Sequence, residues 1–135
     1  MRLMKTAEQQ RVVWAWLQGV FYTVSGIWPL VDIDSFQFVT GPKVDLWLVR
    51  TVGLLLAVLG LALLRAARGR RVSSDLILVA AGQALALAVI DVVYVTAGRI
   101  SPIYLLDAAA ELVLVAGWIL LGRGTPDHPS LQESH

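Results

Sequence analysis

From Val12 onward the chain alternates apolar runs of about 20 residues with short segments that hold most of its charge. A helix of about 20 residues is what crosses roughly 30 Å of hydrocarbon. The composition agrees. Hydrophobic residues make up 57% of the chain and charged residues 16%, where a soluble domain carries about 25% charged. Mean hydropathy is +0.70. The pattern predicts an all-α fold, a four-helix transmembrane bundle running up, down, up and down, multi-pass in the cell membrane.

The predicted helices cover about 12–30, 44–67, 75–97 and 102–121, so residues 1–122 form one membrane domain. Helix 1 follows Arg2, Lys5 and Arg11, as a signal peptide would. Its apolar run is longer than a signal h-region, holds Trp14, Trp16 and Trp28, and ends at Pro29 without a small-residue cleavage pattern, so it reads as a retained helix. The connection from Val31 to Lys43 mixes Asp32 and Asp34 with Phe36 and Phe38, which suits a helical turn at headgroup level. Thr40-Gly41-Pro42 reads as the start of helix 2, and Ser73-Ser74-Asp75 as the cap of helix 3. Arg99-Ile100-Ser101-Pro102 makes a tight link into helix 4. The tail, 123–135, is polar with two prolines and is expected to be disordered and cytoplasmic.

Orientation follows from lysine and arginine. The N-terminal segment, the loop with Arg65, Arg68, Arg70 and Arg71, and Arg123 together hold eight, while the opposite connections hold only Lys43 and Arg99. The positive-inside rule places the first set, and with it both termini, in the cytoplasm. Abundant arginine and alanine suggest a bacterial inner membrane. Small residues recur where helices need to approach: Gly19 and Gly26, Gly53 and Gly60, the run Ala80, Ala84, Ala88, and Gly82 with Ala86.

Four ionisable residues fall inside predicted helices: Arg50, Asp91, Asp107 and Glu111. Counting 1.5 Å per residue from the outer helix ends puts Arg50 and Asp91 about 10 Å deep, Asp107 roughly 9 Å and Glu111 roughly 15 Å. A charge facing lipid costs at least about 2.5–3.5 kcal/mol, so the four are expected to converge, with Asp107 the principal partner of Arg50. Asp107 and Glu111 are four apart and share a helix face. Tyr94 and Tyr104 add hydroxyls nearby, and Tyr22, Thr23 and Ser25 lie at a comparable level. One arginine cannot balance three carboxylates, so at least one acid is expected to keep its proton. A ligand or proton site has this composition, and so does a structural network.

Other residues read more simply. Asp45 suits the positive end of helix 2, and Gln18 an interhelical hydrogen bond. Trp28, Trp47, Tyr104 and Trp118 fit aromatic belts. His128 and His135 have no companions, so no metal is expected, and no cofactor motif is present. The absence of cysteine excludes disulfides and thiol chemistry, and a net charge of +1 gives no reason to expect nucleic acid.

The strings Val39 to Gly53 (VTGPKVDLWLVRTVG) and Arg99 to Leu112 (RISPIYLLDAAAEL) resemble segments of a group of small uncharacterised bacterial four-helix membrane proteins. The resemblance implies that architecture and no activity. Three functions fit the residues: binding or transport of a small cationic or proton-coupled ligand at an outer acidic pocket, an intramembrane enzyme acting on a lipid-soluble substrate, and a structural or accessory subunit. The lipid bilayer is the expected surround, and a homo-oligomer or a membrane partner is left open.

Overall fold

A computed structural model describes residues 2–123. Among them lie five helices: α1 (Arg2–Val31), α2 (Ile33–Thr40), α3 (Leu46–Arg68), α4 (Ser74–Thr96) and α5 (Tyr104–Arg123). Helices α3, α4 and α5 are each long and apolar enough to cross a membrane. The tail expected to be disordered lies, from residue 124 on, outside the described residues.

The connection after α1 is a helix in its own right. Asp32 caps α2 by accepting from the Ser35 N–H at 3.2 Å. At the far end Gly41 takes φ 99° and returns its N–H to the Gln37 carbonyl at 2.8 Å. That backbone shape suits glycine, and Pro42 follows as a stop. Thr40-Gly41-Pro42 therefore ends α2 and does not start the next helix, which begins at Leu46 with Asp45 at its N-cap. Pro102 likewise stands before α5, in a turn where the Tyr104 N–H bonds the Ser101 carbonyl at 3.0 Å. Ser73 caps α4 as predicted, accepting from the Leu76 N–H at 3.1 Å.

The glycines at seven-residue spacing meet across the α1–α3 contact. A Cβ on Gly53 would run into the Gly26 carbonyl at 2.5 Å, and one on Gly60 into the Gly19 carbonyl at 2.9 Å. Their absence lets two antiparallel backbones touch, which within lipid is a main source of helix attraction. Ala80, Ala84 and Ala88 are buried on α4. Gly82 is exposed, with no described atom within 4 Å of where its Cβ would stand.

Helix α1 lies along α3, and α4 lies along α5, while α3 touches α4 only sparsely. The core sits toward the Gly69–Ser73 hairpin, where Val12, Leu63, Ala67, Ala80, Ala84 and Trp118 come together. Trp118 belongs to this core, 1% exposed, and not to an interfacial belt. Its indole N–H donates to Gln18 Oε1 at 2.6 Å, and Gln18 Nε2 donates to the Ala80 carbonyl at 3.1 Å. One side chain thereby joins α1, α4 and α5. Toward α2 no such core closes the space, and the helices surround a cavity.

Candidate functional site

The cavity measures about 590 Å³, within the range of small-molecule sites. Each element contributes to its wall: Tyr22 from α1, Phe36 from α2, Val52 from α3, Asp91 from α4, and Asp107 and Glu111 from α5. Asp107 and Glu111 reach the same space because four residues on α5 return to one face. Asp91 extends the Ala80, Ala84, Ala88 line by three residues, so the face that packs against α5 carries the carboxyl into the cavity.

Glu111 is 2% exposed and Tyr22 1%. The Tyr22 hydroxyl donates to Glu111 Oε1 at 2.7 Å. Asp91 is 5% exposed, and its Oδ2 has no hydrogen-bond partner. Asp107 lies within interaction range of both other carboxyls. Three acids thus share one apolar enclosure, and among the described residues none of them forms a salt bridge with lysine or arginine. Such a group holds together only if protons or a bound cation meet its charge. Among the described residues no cluster of His, Cys, Asp and Glu has the arrangement to hold a metal ion.

Arg50, the expected partner, is exposed and outside the cavity. The reason is angular. At 100° per residue, α3 turns Val52 and Leu56 to the cavity and Gly53, Ala57 and Gly60 to α1. Arg50 falls on the far flank of that α1 contact, turned away from the cavity. Tyr94 is also excluded: it is 42% exposed and does not line the cavity. Asp91, Asp107, Glu111 and Tyr104 are brought together.

The α2 end of the cavity is roofed. Trp28 donates its indole N–H to Ser35 Oγ at 2.8 Å and meets Phe36 edge to face at 5.4 Å. Lys43 lies beneath, its Nζ donating to the Gly41 carbonyl at 2.7 Å, the Thr40 carbonyl at 3.0 Å and Thr40 Oγ1 at 3.1 Å. The same ammonium sits 5.1 Å from the Tyr104 ring centroid and 5.7 Å from that of Phe36. Its three N–H groups are thus matched by three acceptors, and the two rings add cation–π attraction. Burial pushes the Lys43 ammonium below its usual value. This residue ties the end of α2 to the start of α5.

The roof was not legible in the sequence. Lys43 reads there as a topology charge, and Trp28 and Tyr104 as belt residues. The available signal was the mixture of Phe36, Gln37 and Thr40 one turn apart on a short amphipathic segment. Comparison of the chain with protein-family models, curated proteins and solved structures gives no match.

Proposed function

We propose that the chain is a four-span protein of the cell membrane, both ends cytoplasmic, that binds a small ligand through a cationic group held by Asp91, Asp107 and Glu111. The eight-to-two division of lysine and arginine supports the orientation. Helix α1 serves as the fourth span because its polar groups turn inward: Gln18 and Tyr22 are buried and hydrogen-bonded to other helices.

The observation that carries the binding reading is Asp91 Oδ2, a buried acceptor without a donor, on a residue that lines the cavity with two further acids. An uncompensated buried carboxylate is costly, and an ammonium group in the cavity removes that cost. Calorimetric titration of the purified protein with phenethylammonium tests this. Saturable binding that weakens at least tenfold in the Asp91→Asn, Asp107→Asn double variant is the expected result. Heats that do not saturate, or that are unchanged in the variant, defeat the reading.

An intramembrane enzyme is the second reading. Its specific support is the Tyr22–Glu111 pair, whose 2.7 Å contact has the spacing that proton transfer requires. Turnover of a lipid-soluble substrate that stops with Glu111→Gln would favour it over simple binding.

A further inference from the structure

We infer that the cavity takes its ligand sideways from the bilayer, so that the ligand is an amphiphilic amine whose hydrocarbon chain passes out between α3 and the α4–α5 pair. The inference rests on the binding reading above and adds the ligand class and the route.

Two sides of the cavity argue for it. On the α2 side, the wall is built by the Trp28–Ser35 and Trp28–Phe36 contacts and by Lys43, whose three donors are all engaged. Lys43 is therefore not free to receive an anionic group, and the roof is tied down at both ends of α2. On the flank the situation is reversed. Helix α3 pairs with α1 and α4 with α5, and α3 meets α4 only sparsely. Among the described residues α3 and α5 do not pack closely. The residues bordering that gap are Leu48, Val52 and Leu106, all apolar and exposed, Leu106 by 70%. Helices α3 and α5 are both long and apolar enough to span a membrane, so a gap between them faces acyl chains. A chain of methylenes leaving by this route stays in hydrocarbon throughout, while the ammonium remains with the acids.

The geometry also says which end of the ligand must be uncharged. A group at the far end of the chain lies in lipid, where a second ammonium costs at least about 2.5 kcal/mol, close to 70-fold in affinity. The test compares three probes on the protein in lipid nanodiscs, following Trp fluorescence: phenethylammonium, dodecylammonium and doubly protonated 1,12-diaminododecane. Binding in the Asp91→Asn, Asp107→Asn variant is subtracted to remove partition into lipid. The expected result is saturable binding of the first two and at least about 50-fold weaker binding of the diamine. Leu106→Trp, which narrows the gap, should weaken dodecylammonium at least tenfold and leave phenethylammonium within a factor of three. Equal binding of monoamine and diamine would show a water-filled path and overturn the lateral route, with the binding reading intact. Failure of all three probes, phenethylammonium included, would overturn both.

Discussion

The Tyr22 hydroxyl and the Glu111 carboxyl, 89 residues apart in sequence, meet at 2.7 Å in the buried wall of the cavity. The bond links α1 to α5 at the level where the packed core gives way to open space. It therefore separates two regions of different character: below it side chains interdigitate, above it they line a site.

Removing this bond should cost about 1 kcal/mol, the order measured for interhelical hydrogen bonds in lipid. Tyr22→Phe should lower the melting temperature in detergent by roughly 3 °C. Glu111→Leu removes the acceptor and strands the hydroxyl, and should cost about 1–3 kcal/mol. The two changes should combine less than additively, because they share one interaction. Strict additivity would mean that the bond does not form.

Arg50→Met should alter stability by no more than about 0.5 kcal/mol, as expected of an exposed side chain without a buried partner. Gln18→Leu should cost more, roughly 1–3 kcal/mol, since it strands the Trp118 indole N–H. Thermal melts of both variants check the contrast. A severe loss in the arginine variant would place it with the acids after all.

The glycines offer a sharper comparison. Gly53→Val should disrupt folding, because its Cβ meets the Gly26 carbonyl and the Pro29 ring and neither backbone can yield cheaply. Gly82→Ala meets nothing within 4 Å and should stabilise α4 by up to about 1 kcal/mol. Yield of folded monodisperse protein and its melting temperature are the measurements. If Gly82→Ala also destabilises, that face is covered by something other than lipid.

Lys43→Met should leave α3, α4 and α5 intact and loosen α2. Amide exchange across Ile33–Thr40 is expected to quicken at least tenfold, with little change in α4. Unchanged exchange in α2 would show that the Trp28 contacts hold the roof without the lysine.

Topology is directly accessible, because the chain has no native cysteine. Ser35→Cys and Ser73→Cys should label on opposite sides of the membrane with an impermeant thiol reagent, Ser35→Cys from outside. Labelling of Ser73→Cys from outside intact cells would reverse the orientation.

Helical class and the approximate limits of α3, α4 and α5 follow from local sequence, while α1 begins at Arg2, ten residues before the apolar run that announced it. Run length, capping residues such as Ser73 and the repeat of Gly19, Gly26, Gly53 and Gly60 each act within a turn or two. The meeting of Asp91 with Asp107 and Glu111 was foreseeable as well, since acids at similar depth in lipid have strong reason to face one another. What depth could not supply was angle. Arg50 was expected at the level of the acids, yet with α1 seated on Gly53 and Gly60, α3 turns Arg50 away from the cavity. Lys43 shows the converse: a charge with no special pattern in sequence finds Thr40, Gly41, Phe36 and Tyr104 because two chain turns converge there. Periodicity sets which residues share a face of a helix, but which face meets which neighbour is decided by backbone approach among all the helices together. Only that assembly determined that the acids line a cavity.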